Sequence, residues 1–376
     1  MMMKVGFIYF DEIQHIHHFL SPAVELSRMP GFQVDILTYE GKHEYLMSLL
    51  KLMGGDRLNI VQHETYFYRK VIEKITGRKQ PSALYLYKKH LSNFLKYDAL
   101  VFTDRTAGEI HIHKQQSMKP YLIQLGHGAG DGIYGYAEAH NMFDLVLVSG
   151  QKKYERLNSS FPHRNFKIDV TGYNKFDVVK KEFTKQDLFG NENPIVLYSP
   201  HFKSNLSSWH SDGISILNYF KNNKDFNLIF APHYNLFNKK GAKESRDSIR
   251  GYLGTPNIHV DTGSINSINM RYTLLSDIYL GDVSSQVYEF MIKARPIIYY
   301  NTHNIDWEND ESYLMWKAGK VIQTIDELDQ ALRTLNEWPK EFEDEQRRLY
   351  EITFDETENT AGVRVAMQIK ENLNLS

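Results

Sequence analysis

The chain has 376 residues, with 44 Lys and Arg against 46 Asp and Glu, a formal net charge of −2 and no cysteine. That balance gives no electrostatic case for a nucleic-acid binder, and the missing thiols exclude disulfides, iron–sulfur clusters, thiolate zinc sites and cysteine nucleophiles. At 42% hydrophobic and 24% charged residues, the composition excludes intrinsic disorder as the main state, no run approaches the ~20 apolar residues of a membrane span, and the length predicts two domains. Met1 to Lys4 leads directly into a strand-like run with no apolar signal core, so a cytoplasmic protein is the expectation. The 24 Tyr and 21 Phe read as packing or as a carbohydrate-stacking surface.

Lys4–Phe10 is a short apolar run suited to a buried parallel strand. A helix is predicted over 16–28, ended by Pro30-Gly31, then a strand over 34–39. A helix over 45–53 and strands over 58–61, 97–103, 121–125, 145–149 and 167–172 complete the first half. The polar segment 184–194, with Gly190 and Pro194, is the candidate linker. The pattern then restarts, with strands over 195–198, 227–230, 258–261, 277–280 and 296–300. Helices are predicted over 214–220, 267–275, 285–294, 325–335, 341–351 and 360–373. Strand and helix in alternation predict doubly wound parallel α/β sheets, one in each half.

One stretch is locally basic. Between Phe67 and His90, Arg69, Lys70, Lys74, Arg78, Lys79, Lys88 and Lys89 face the single acid Glu73, a local charge of about +6. Tyr66, Phe67, Tyr68, Tyr85 and Tyr87 are interleaved. The stretch reads as two solvated helices around a Gly77–Pro81 turn, or as a docking face for an anionic acceptor or a phospholipid surface.

Four segments carry chemistry-bearing residues at predicted strand ends. In Leu280-Gly-Asp-Val-Ser-Ser285 a strand ends and two serines open a helix. Free amides and hydroxyls there suit a phosphate or diphosphate, although Asp282 or Ser284 equally suits a helix cap. Gln124-Leu-Gly-His127-Gly128 puts a histidine beside glycines, which allow close backbone approach. His127 is suited to take a proton from a hydroxyl. Asp131, in the Gly-rich continuation, is a candidate to orient His127 or to act as base itself. Tyr198-Ser-Pro-His-Phe-Lys203 offers a cation, and Phe230-Ala-Pro-His233 a donor to a phosphate oxygen. Glu289 is a candidate to hold a ribose, or packs. No His/Glu/Asp cluster has metal spacing and no Asp-x-Asp occurs, so the expectation is no metal, with leaving-group charge handled by hydrogen bonds.

Residues 120 to 300 resemble the CDP-glycerol glycerophosphotransferase family, the teichoic-acid and capsule polymerases. That family is similar in showing a His-Gly loop, a Gly-Tyr-Pro-Arg-x-Asp turn, a Tyr-x-Pro-Thr-x-Arg loop, a Lys-x-His-Pro segment and an Asp-Tyr-Ser-Ser helix start before a Lys-Pro-Ile strand. Here these are His127-Gly128, Gly172-Tyr-Asn-Lys-Phe-Asp177, Tyr198 to Lys203, Phe230 to His233, and Asp282-Val-Ser-Ser285 with Arg295-Pro-Ile-Ile298. The family's Trp before His-Gly is Gly126, and its Arg is Lys203.

The resemblance implies two facing Rossmann-like domains (GT-B) with a C-terminal helix crossing back to the first. It implies an acceptor-side domain over 1–183 plus 358–376 and a nucleotide-donor domain over 184–357. His127 and His233 would be catalytic, with Asp131 beside them. Lys203, Ser284, Ser285, Asp282, Gly128 and Glu289 would bind the nucleotide and its phosphates. The donor would be CDP-linked, with no tightly bound cofactor. The acceptor would be a glycan or polyol phosphate. A lipid-linked acceptor would bring residues 67–90 to the inner face of the membrane. A GT-B glycosyltransferase using a nucleotide sugar, a nucleotide-sugar 2-epimerase and a non-catalytic nucleotide- or glycan-binding protein stay open as alternatives.

Overall fold

The structure, a computed structural model, describes residues 2–10, 12–76, 80–114, 119–132, 135–179, 188–238 and 243–374. Arg78, Lys79, the glycine of the expected 77–81 turn and the first part of the expected linker lie outside the described residues. The chain divides into two compact units: residues 1–128, 136–179 and 352–376 form one, residues 129–135 and 180–351 the other.

The first unit is built on β1 (Met3–Tyr9), β2 (Phe32–Tyr39), β3 (Asn59–His63), β4 (Ala99–Phe102), β5 (Tyr121–Leu125), β6 (Leu145–Val148) and β7 (Lys167–Val170). They form one sheet in the order β3-β2-β1-β4-β5-β6-β7, with every pairing parallel. The apolar run of β1 is explained by burial on both faces. Val5, Phe7 and Tyr9 join Phe19, Leu20 and Val24 of the helix Ile16–Arg28. Ile8 and Phe10 join Phe94 and Phe102 on the opposite face. The C-terminal helix Ala361–Asn374 contributes Val365, Ala366, Ile369 and Leu373 to the core of β1.

The second unit repeats the plan with β8 (Ile195–Ser199), β9 (Asn227–Phe230), β10 (Ile258–Val260), β11 (Ile278–Gly281), β12 (Ile297–Tyr300) and β13 (Lys320–Ile322). Their order is β10-β9-β8-β11-β12-β13, again parallel throughout. Val196, Leu228, Leu280 and Ile298 pack against Ile216, Leu217 and Phe220 of the helix Trp209–Asn222.

The structure departs from the sequence expectations in three places. Strand β13 and the helices Gly108–Lys114 and Gln151–Ser160 were not read from the pattern. The helix expected over 285–294 spans only Gln286–Phe290, which leaves little of a macrodipole to act on a ligand.

The basic stretch is the third departure. It does form two helices, Phe67–Ile75 and Ala83–Phe94. Three of its lysines, however, meet acids from outside the stretch: Lys70 pairs with Glu40 and Glu64, Lys88 with Glu109 and Lys89 with Glu64, while Arg69 pairs with Glu73 of its own helix. Arg69 also lies over the Tyr85 ring at 4.2 Å. What the first helix leaves exposed is mostly apolar: Phe67 is 82% and Ile75 79% exposed, with Tyr68, Val71, Ile72 and Lys74 between them.

Candidate active site

Both sheets reverse their strand order beside their first strand, between β1 and β4 and between β8 and β11. Open parallel sheets bind ligands outside the carboxyl ends of the strands at such a reversal.

In the second unit, the segments leaving β8 and β11 meet there. Asp282, one residue past β11, is buried. One of its carboxylate oxygens accepts from the His201 and Ser208 amides at 2.9 and 3.0 Å, while Oδ1 has no partner. Burial pushes this carboxyl up to about 7, against the lowering effect of those amides. Asp282 therefore acts on the β8 loop, fixing the course of Pro200 to Ser208. Ser284 Oγ accepts from the Gln286 amide at 3.2 Å, a local turn bond just before the helix. Ser285 is half-buried at the helix start, and Gln286 links Ser199 Oγ (2.8 Å) to the Ser267 carbonyl (3.0 Å).

His233 follows β9, and its ring lies 5.8 Å from His201 and 4.5 Å from Phe202. The Asn235 amide donates to His233 Nδ1 at 3.2 Å. An N–H on Nδ1 would oppose that donor, so a neutral His233 carries its proton on Nε2. By the same argument His201, whose Nδ1 accepts from the Lys203 amide at 3.1 Å, also carries its proton on Nε2. Lys203 is half-buried on this loop. Glu289 is buried in the short helix.

The segment 129–135 belongs to this unit. A Cβ on Gly130 would lie 3.6 Å from the Ser285 Cβ. Asp131 is buried and accepts the Tyr288 hydroxyl.

In the first unit, His127 Nδ1 donates to the Thr103 carbonyl. A carbonyl only accepts, so Nδ1 carries the proton and Nε2 presents a lone pair. The residue is exposed, with the buried His15 and His18 beside it. Desolvation, then His15 and Lys153, hold its imidazolium form well below the ordinary range. A neutral imidazole with a lone pair on Nε2 is a proton acceptor. Gly128 follows at φ = 129°, a conformation for which glycine is suited.

Four residues around His127 escaped the sequence reading: His15, His18, Arg105 and Lys153. His15 Nδ1 lies 2.8 Å from Thr103 Oγ1, and its ring is 4.5 Å from that of His127. The run His15-Ile-His-His18, at the start of the first helix after β1, was a usable signal. The motif Gly172 to Asp177 supports this end of the sheet. Asn174 Nδ2 donates to the His18 carbonyl at 3.0 Å. Asp177 accepts from Ser21 Oγ and the Gly362 amide, both at 2.7 Å. Among the described residues, no group of three or more His, Asp or Glu could hold a metal ion, and no helix is long and apolar enough to cross a membrane.

Solved structures share this architecture. An S. aureus MnaA–UDP structure superposes with a TM-score of 0.68 at 13% identity, covering 100% of this chain and 98% of that one. The UDP-GlcNAc 2-epimerase of Neisseria meningitidis gives 0.64 at 15%, covering 100% of each chain. A structure of the wall teichoic acid polymerase TagF with CDPG gives 0.64 at 14%, covering 99% of this chain and 89% of that one. At such identities the likeness shows the fold. No curated protein matches the sequence. The sequence itself matches the CDP-Glycerol:Poly(glycerophosphate) glycerophosphotransferase family over residues 65–371, well beyond the segments that carry the resemblance. The chain belongs to that family and is a glycerophosphotransferase, an enzyme that draws the transferred group from a nucleotide-linked donor.

Proposed function

We propose that the donor is CDP-glycerol and that His127 and His233 handle the two protons of the transfer. The observation that carries this reading is the opposed polarity of the two rings. His127 Nδ1 faces a carbonyl, while His233 Nδ1 faces an amide. An acceptor hydroxyl gives its proton to His127 Nε2, and its oxygen bonds to the phosphorus that carries glycerol. The bond from that phosphorus to the bridging oxygen breaks, and CMP leaves. His233 Nε2–H donates to the departing phosphate. Lys203, the amide at Ser285 and the Ser284 and Ser285 hydroxyls hold the diphosphate, with Gly128 allowing close approach. Asp282 positions the loop that bears Lys203, and Glu289 supports the helix from beneath. In this reading Asp131 positions the loop through Tyr288.

The acceptor is a glycan or polyol phosphate that is lipid-linked, and the enzyme works in the cytoplasm at the inner face of the membrane. The exposed apolar face of Phe67–Ile75 supports that placement. Thermal shift with CDP, CMP, CDP-glycerol, UDP and GDP tests the donor. Ligand at 100 times its dissociation constant stabilises by about 2.7 kcal/mol, a shift of a few degrees. A response to CDP and CDP-glycerol, with CMP released once acceptor is added, is the expected result. A response to UDP or GDP alone overturns the reading in favour of a nucleotide-sugar enzyme.

A further inference from the structure

A cationic recess stands at the strand reversal of the first sheet, formed by residues that the donor chemistry leaves unused. The rings of His15 and His18 lie 4.5 and 6.4 Å from His127. His18 is 6% exposed, and its Nδ1 meets no partner. Lys175 is buried and close enough to disfavour a second proton on both His17 and His18. From the other side, Lys153 of the helix Gln151–Ser160 reaches Gly126. A Cβ on Gly126 would lie 3.3 Å from the Lys153 Nζ. Arg105, just past β4, faces Lys153 and has Asp104 as its neighbouring acid. Among the described residues no carboxylate pairs with Lys153.

Like charges gathered in a protein recess cost free energy unless a counter-charge joins them. Burial, then Arg105 and Lys152, push the Lys153 ammonium down to about 8. The counter-charge that suits Lys153 and Arg105 is an anion, since their field repels a metal ion. An ammonium, a guanidinium and imidazole N–H groups converging at a strand end form a donor set for phosphate oxygens.

We propose that this recess binds a phosphate group of the acceptor, holding it beside the hydroxyl that His127 deprotonates. The naming of the acceptor rests on the transferase reading; the phosphate site does not. A bound phosphate would also favour the protonated form of His127, so the base gains proton affinity when acceptor is in place.

Calorimetric titration of the full chain with sn-glycerol 3-phosphate, glycerol and CDP tests the site, using wild type, Lys153→Gln and Lys153→Arg. The expected result is binding of glycerol 3-phosphate but not glycerol, weakened about tenfold or more by Lys153→Gln and restored by Lys153→Arg. CDP affinity should stay within about twofold in both variants, which also reports that they fold. Wild type that ignores glycerol 3-phosphate, or a Lys153→Gln protein that binds it normally, overturns the proposal. Equal loss of CDP and glycerol 3-phosphate in Lys153→Gln, with Lys153→Arg restoring both, also overturns it, by assigning the cations to the donor diphosphate. Binding of glycerol 3-phosphate without CDP leaves the phosphate site standing and removes the donor reading instead.

Discussion

His127 and His233 differ in which ring nitrogen carries the proton, and one backbone atom decides it in each case. The Thr103 carbonyl fixes the proton of His127 on Nδ1, and the Asn235 amide fixes that of His233 on Nε2. His127→Gln should lower kcat by at least ~100-fold, the lower end for lost general-base help. It should leave CDP affinity unchanged, because no donor-holding role is given to it. His233→Ala should lower kcat and weaken CDP binding together; steady-state kinetics beside CDP titration separates the two patterns. The sequence showed both histidines at strand ends but not their tautomers, because Thr103 and Asn235 become partners only through the fold. It also singled out Asp131, to orient His127 or to act as base itself, but not its bond from the Tyr288 hydroxyl, because Tyr288 stands 157 positions away. Asp282 offers a test by pH. Burial raises its folded pKa to about 7, above the ~3.9 of an unfolded aspartate. The proton thus stabilises the folded state below about pH 4, and that contribution is lost as pH rises through about 7. Asp282→Asn has no such proton to lose. Its Tm relative to wild type should therefore climb between about pH 4 and pH 8, whatever its offset at pH 4. A flat difference across that range would remove the buried, protonated carboxyl from the account.

At the scale of elements, the helix Phe67–Ile75 shows why local charge misleads. Seven bases against one acid over 67–90 read as a basic face. The acids that answer Lys70, Lys88 and Lys89 are Glu40, Glu64 and Glu109, outside that stretch. Their pairing is tertiary and cannot be counted in a window. What remains outward is Phe67, Tyr68, Val71, Ile72 and Ile75 with the single cation Lys74, a mainly apolar stripe at helical spacing. If this face meets a membrane, its insertion is mainly apolar. Phe67→Ser with Ile75→Ser should abolish flotation with vesicles, and raised salt should change flotation of the wild type little. Strong salt sensitivity, or unchanged flotation of the double variant, would move the contact elsewhere. The other misses at this scale have a physical cause too. β13 has three residues, too few for any period, and the helix Gln151–Ser160 buries only Leu157, so it carries almost no apolar stripe. The strands were legible because burial on both faces makes them continuous apolar runs: 121–125 and 227–230 are found where the sequence put them.

On the scale of the whole chain, the last helix belongs to the first unit. Ile369 and Val365 are fully buried beside Val5 and Phe7, more than 350 residues earlier in the sequence. The Gly362 amide at the head of this helix is held by Asp177, which also accepts from Ser21 of the helix Ile16–Arg28. Asn174 and Lys175, three and two residues before Asp177, stand beside His18. One carboxylate thus ties the chain's end to the segment that supports the His18 side of the recess. Ile369→Ala removes a buried side chain at a cost of about 2–5 kcal/mol. That loss should be local in kind. Amide exchange should quicken in β1, in the helix Ile16–Arg28 and in the C-terminal helix, and stay unchanged in β8 to β13, as hydrogen–deuterium exchange with mass spectrometry would read. Because the same contacts position His18, the variant should also bind glycerol 3-phosphate more weakly than CDP relative to wild type. Uniform quickening across both sheets would mean that the two cores unfold as one, and the C-terminal helix would then be a determinant of global stability with no special tie to the recess.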